Sequence, residues 1–194
     1  MKKFMYVLLL IFIPAICNAQ RFKGGVVLGL NVSQIDGDFW AGYNKAGLVG
    51  GAFVFTKFTE GWGGQMEIRY SAKGSATAPK STVQRKIRLQ YMELPLLATY
   101  DFYHNFQAQG GVSLGYLFEA AQNDGYGYEE FDEFDHFEIA LSVGMNYSVL
   151  DRIDINVRFS YSILPIEAYY SGATFPYAKT NNVITFAVYY RIGG

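Results

Sequence analysis

Apolar and polar residues alternate along most of the chain. From Trp62 the even positions Trp62, Gly64, Met66, Ile68, Tyr70 and Ala72 oppose the odd positions Gly63, Gln65, Glu67, Arg69, Ser71 and Lys73. A period of two sends successive side chains to opposite faces of an extended strand, so this stretch predicts a strand with one apolar and one polar face. His136 to Val149 and Ile153 to Ile163 follow the same rule. So do Phe22 to Val32, Gly47 to Phe58, Ile87 to Tyr100, Gln107 to Glu119 and Asn182 to Ile192, which makes eight strands.

Two of the eight are irregular. In the second, Phe53 and Phe55 fall on one face while Leu48, Ala52 and Val54 fall on the other. In the fourth, Ile87, Leu89 and Tyr91 are odd, whereas Met92, Leu94, Leu96 and Ala98 are even. A β-bulge near Tyr91 and Met92 would reconcile the halves, and Pro95 removes one ladder hydrogen bond nearby.

A soluble barrel or sandwich would turn the apolar faces inward. Three features favour the inverse. The strands run to about ten to fourteen residues, longer than the roughly 5–6 usual in soluble proteins and sufficient for the roughly 9–11 that cross a bilayer at a tilt. Aromatic residues collect at the ends of the apolar faces, as with Phe137 and Tyr147 around Ile139 to Met145, the arrangement that membrane interfaces select. The polar faces mix glycine and serine with charges of both signs, which suits the narrow, side-chain-filled interior of an eight-stranded barrel. The connections alternate strictly: long at Ser33 to Ala46, Gly74 to Lys86, Ala120 to Asp135 and Leu164 to Asn181, short after the second, fourth and sixth strands. One end would therefore carry four long loops and the other three tight turns and both termini, as in outer-membrane barrels. The expected fold is all-β, an eight-stranded antiparallel up-and-down transmembrane β-barrel.

Composition adds the compartment. Aromatics make up 18% of the 194 residues and charged residues only 17%, with 21 Gly and a formal net charge of −1; such a chain is neither disordered nor a nucleic-acid binder by charge. Met1-Lys2-Lys3, the apolar run Phe4 to Ile16 and the small residue Ala19 have the layout of a secretory signal peptide cleaved after Ala19. Residues 1–19 are thus expected to be removed and residues 20–194 to form the barrel domain. The apolar run is shorter than the roughly 20 residues a spanning helix needs, and bulky Ile16 before Cys17 is a poor fit to lipoprotein processing. Cleavage would remove the only cysteine, leaving no disulfide or thiolate chemistry.

Four segments carry a resemblance to a known family: Gly29-Leu30-Asn31-Val32-Ser33, Tyr91-Met92-Glu93-Leu94-Pro95-Leu96-Leu97, Val157-Arg158-Phe159-Ser160-Tyr161-Ser162 and the final strand. The chain resembles the PorT-like family of small outer-membrane β-barrel proteins of Gram-negative bacteria. The resemblance implies an eight-stranded barrel and an outer-membrane address. The family's founding member is linked to protein secretion, which makes an accessory role in a secretion system one alternative.

The candidate chemistry lies on the polar faces and in the loops. Glu67, Arg69, Glu93, Glu119, Glu138, Arg158 and Arg191 are expected in the lumen, where charge-assisted pairs would plug the barrel and fix its register; a narrow channel is the alternative. His136, Glu138 and Ser142 have residue types that acyl transfer uses, but Ser142 is roughly 20 Å along the strand from His136 at about 3.3 Å per residue. A lipid-modifying enzyme is therefore the lesser reading, and no catalytic residue is assigned. The third long loop is acidic, with Asp124, Glu129, Glu130, Asp132, Glu133 and Asp135 among aromatics; the second is basic, with Lys80, Arg85 and Lys86. Cross-loop pairing, contact with lipopolysaccharide phosphates and Ca²⁺ binding are all compatible with those charges. No nucleotide loop or metal-spaced His or Cys set occurs, so no cofactor or metal is expected. The expected partners are outer-membrane lipid and lipopolysaccharide, with other envelope or secretion proteins as further candidates; the barrel itself is expected to be a monomer that binds no nucleic acid.

Overall fold

A computed structural model describes residues 22–38, 40, 42–124, 127–130, 134–169 and 177–192. The expected signal peptide, residues 1–19, lies outside the described residues. Ten strands follow in chain order: β1 (Phe22–Asp36), β2 (Lys45–Lys57), β3 (Trp62–Ala76), β4 (Lys86–Tyr103), β5 (Phe106–Asn123), β6 (Tyr128–Glu130), β7 (Phe137–Leu150), β8 (Ile153–Ser162), β9 (Glu167–Tyr169) and β10 (Tyr177–Ile192). Eight of them close an antiparallel barrel in the order β1-β2-β3-β4-β5-β7-β8-β10, sealed by β1 against β10 from Gly24↔Ile192 to Asp36↔Thr180. Short β6 and β9 extend β5 and β10 at the end with the long loops. Closure leaves no free sheet edge, which a strand-built span through lipid requires.

The apolar faces point outward. Leu28 is 68% exposed, Ile68 57% and Val143 61%, values that would be prohibitive on a water-facing surface of this extent. They form a continuous aliphatic belt. Around it the aromatics pair across strands: Trp62 with Tyr100 (ring centroids 4.8 Å) and Phe106 with Tyr147 (4.7 Å) near the short turns, Tyr116 with Phe137 (5.4 Å) near the long loops. These are the two interfacial girdles.

β2 resolves its ambiguity by sending Val49 and Phe53 into the lumen and Leu48 and Val54 to the lipid side. The expectation for the fourth strand needs correcting. β4 keeps one phase throughout, with Ile87, Leu89, Tyr91, Glu93, Leu97 and Thr99 all buried in the lumen. The irregularity does fall at Tyr91, where pairing passes from Gln90↔Glu119 to Tyr91↔Leu117. The extra residue, however, is Phe118 on β5, and the upper apolar residues of β4 face inward because the lumen itself is apolar at that height. On the other side of β4 the ladder with β3 breaks between Met66↔Leu96 and Arg69↔Glu93, at Pro95, which has no N–H to donate.

Several strands also run past their expected outer ends, β1 to Asp36 and β10 back to Tyr177. Above the belt the outer face meets water while the inner face stays buried, as at Ser33, Ile35 and Asn181, so polar residues such as Gln34 and Asp36 stand outside and the simple apolar-out, polar-in alternation is lost while the ladder continues. Inside, small residues make room for large ones. A Cβ on Gly51 would lie 2.1 Å from the Ile68 carbonyl oxygen, and one on Gly115 would lie 3.2 Å from both Glu138 Oε2 and Tyr91 Cδ1. Glycine at these positions allows close strand approach and leaves the lumen volume to those larger side chains.

Candidate functional site

Side chains from six barrel strands, β3, β4, β5, β7, β8 and β10, meet in the lumen, because each barrel strand sends every second residue inward. Arg158 on β8 is fully buried and grips Glu67 on β3 with two hydrogen bonds, Nη1 to Oε2 at 3.1 Å and Nη2 to Oε1 at 2.7 Å. Tyr189 on β10 donates to the same carboxylate (2.9 Å), as does Gln65 (2.6 Å), and Gln109 accepts from Arg158. Arg69 bridges upward, 3.5 Å from Glu67 and 2.8 Å from Glu93. Lys73 then joins Glu93 to Glu138, with Nζ–O separations of 2.5 and 2.7 Å. Glu138 also accepts from Ser162 and Asn181 (3.1 Å), and the Lys73 ammonium sits 4.6 Å from the Tyr91 ring centroid.

The result is one alternating series, Arg158, Glu67, Arg69, Glu93, Lys73, Glu138, with three positive and three negative groups. An ion buried without a partner costs several kcal/mol. Here each charge faces an opposite one, and the polar hydrogen-bonding side chains around them saturate most of the remaining sites. Above the series lies an apolar cap of Ile35, Ile87, Leu89, Tyr91 and Leu117, onto which Phe134 and Ile166 fold from the long loops. Trp40 of the first loop packs against it. From the cap down to Arg158, the described lumen is occupied by packed side chains.

Of the seven lumen charges expected from sequence, the structure brings Glu67, Arg69, Glu93, Glu138 and Arg158 into this series. Arg191 points into the lumen at its lower mouth, 2.6 Å from Asp154. Glu119 does not join them, which corrects the expectation. The Phe118 bulge shifts its parity, so it pairs with outward Gln90 and meets Arg88 at 2.5 Å on the outer rim. Lys73, which is not among the seven expected lumen charges, is buried at the centre of the series. Its parity with Glu67 and Arg69 was the available signal. Tyr189 and Tyr91, with hydroxyls in the network, carried no charge to draw attention.

The loop residues are placed separately. Arg85 lies 3.7 Å from Asp124 across the loops, both well exposed, and the Arg88 guanidinium lies 5.0 Å from the Tyr128 ring centroid. Lys80 is exposed in the second loop, and Lys86 opens β4. Glu129 and Glu130 belong to β6, where they pair with Gln122 and Ala121 of β5. The Asp135 amide donates to the Ile166 carbonyl (2.7 Å). Asp132 and Glu133 lie outside the described residues. In the first loop, burial raises the Asp38 carboxyl above the usual range, opposed by the hydrogen bond it accepts from the Trp40 amide (2.8 Å). Among the described residues, no group of three or more His, Cys, Asp or Glu side chains is placed to hold a metal ion.

His136, Glu138 and Ser142 do not assemble. The His136 ring stacks on Tyr116 (centroids 5.9 Å) and contacts the Leu117 carbonyl, Ser142 bonds Ser160 (2.8 Å), and Glu138 is held by Lys73.

A filled, charge-lined, closed eight-stranded barrel with a lipid-facing exterior matches a known family: residues 18–167 fit the outer membrane protein beta-barrel domain. The chain belongs to that family. It is an outer-membrane β-barrel protein. Among solved structures it is similar to Ail, the attachment invasion locus protein of Yersinia pestis, with a TM-score of 0.54 at 12% identity over 88% of this chain and 98% of that one. It is also similar to Neisserial surface protein A, with a TM-score of 0.53 at 12% identity over 88% of this chain and 96% of that one. At these identities the likeness is one of fold. Among curated proteins, no sequence matches the chain.

Proposed function

We propose that this outer-membrane barrel is non-enzymatic and does not conduct, and that it acts through its external loops and rim in interaction or envelope integrity. The observation that carries this reading is the lumen: six alternating charges, with an apolar cap above them, fill the space a solute would have to cross. With the interior committed to packing, the surfaces left for function are the loops and the charged outer rim. The basic second loop, Lys80, Arg85 and Lys86, is suited to the phosphates of lipopolysaccharide, and the acidic third loop to a basic protein surface. Membership of the PorT-like family, and a role as accessory to a secretion system through protein contacts, are the finer reading that the quoted sequence segments support. The apolar belt runs around the barrel without a polar break, which favours a monomer in lipid.

Planar-bilayer recording of the purified protein tests the central point. The expected result is no steady unitary conductance in symmetric salt. Stable, ion-selective openings would overturn the proposal in favour of a narrow channel.

A further inference from the structure

Below the charge series the lumen opens, at the end with the short turns, into a cavity of about 190 Å³. Its floor is polar and built from buried side chains, Gln65, Asn146 and the Tyr189 ring, and its walls include Phe53, Phe55 and Phe106. Three cations line it from three successive strands of the closed sheet: Arg191 on β10, Lys23 on β1 and Lys57 on β2. The outer two are answered by acids. Arg191 Nη2 lies 2.6 Å from Asp154, and Lys57 Nζ lies 2.6 Å from Asp101. The middle cation is not answered: among the described residues Lys23 makes no ion pair. Arg191 also keeps its Nε buried without a hydrogen-bond acceptor. Lys23, exposed at the rim, and Arg191, with its buried Nε, thus turn two cationic donors toward a mouth with a polar floor and aromatic walls, the donor set that charge-assisted binding of an anion uses.

We propose that this mouth binds a small anionic group, a carboxylate or a phosphate, presented from the periplasmic side. Lys23 and Arg191 supply the charge-assisted donors, while Phe53 and Phe55 give an apolar bearing for the rest of the ligand. The site is separate from the external loops and holds whether or not those loops engage a partner. The same chemistry is available from a free solute and from the headgroup of an inner-leaflet phospholipid.

The test uses the full mature barrel, refolded into phosphatidylcholine nanodiscs and titrated with benzoate and with inorganic phosphate while the side-chain amide NMR signals of Gln107 and Asn146 are followed. Saturable shifts are expected, with affinity reduced about tenfold in Lys23→Ala, as loss of one charge-assisted bond implies. Lys23→Arg should retain binding, and Lys45→Ala, at the opposite end of the barrel, should leave it unchanged. Repeating the titration with phosphatidylglycerol in the nanodisc separates the sources. Weakened benzoate binding identifies a lipid headgroup, and unchanged binding a soluble anion. Absence of saturable shifts with either probe, or equal affinity in Lys23→Ala, would overturn the proposal.

Discussion

Lys73 shows how much one residue's setting can change its meaning. Its ammonium holds two carboxylates, Glu93 and Glu138, that would otherwise face each other across the lumen. Lys73→Met removes the positive group and leaves an uncompensated negative charge in a closed interior. The expected cost is about 3–5 kcal/mol, in the range for breaking a buried pair. Lys73→Met combined with Glu138→Gln restores a neutral lumen, so the double variant should be more stable than Lys73→Met alone. Equilibrium urea unfolding in lipid vesicles, followed by tryptophan fluorescence, gives both values. Additive losses would show that the two groups act independently and that the series is not a coupled network. Charge balance of this kind is a device for fixing register as much as for stability, since a slip of one residue would turn each inward charge on the slipped strand toward lipid.

At the scale of strands, what matters is which face meets which solvent. β7 presents Leu141, Val143 and Met145 to the lipid and Ser142 and Asn146 to the lumen. Val143→Arg near mid-strand should cost about 2–4 kcal/mol, and Val149→Arg close to the interface about 0–1 kcal/mol, because the penalty for a lipid-facing cation falls with depth. Equal losses at the two positions, measured by the same unfolding assay, would displace the membrane band from where the aromatic girdles put it. The eight barrel strands, their antiparallel succession and the alternation of long and short connections were all legible from the period of two. The β4 phase was not. An apolar inward residue and an apolar lipid-facing residue look alike in a sequence, and only the burial of Ile87, Leu89 and Tyr91 within the cap distinguishes them. For Glu119 the cause is again local: one extra residue, Phe118, reverses the face of everything beyond it.

For the molecule as a whole, the lumen is layered: an apolar cap outside, a neutral charge series in the middle and a polar cavity open to the periplasm. The layers make different predictions. Ile166→Ala strips the cap of a residue that is completely buried and should cost about 2–5 kcal/mol. Yet combined Phe134→Ala and Ile166→Ala should still give no bilayer conductance, because the Arg158 to Glu138 series remains in place. Steady current through that double variant would make the cap the sole seal. The asymmetry also separates two chemically distinct ends, with charged loops at one and a small polar mouth at the other.

The alternation of residue types was enough to determine the strand number, the two chemically distinct faces, the compartment and the pool of charges available to the interior. All of these depend on local period and composition, which a chain carries without reference to its partners. The pairing of those charges, the recruitment of Lys73, the exclusion of Glu119 and the grouping of Lys23, Arg191 and Lys57 at one mouth depend on shear and register around the closed sheet. Register is set by contacts between strands far apart in sequence, so it came into being only with the folded barrel.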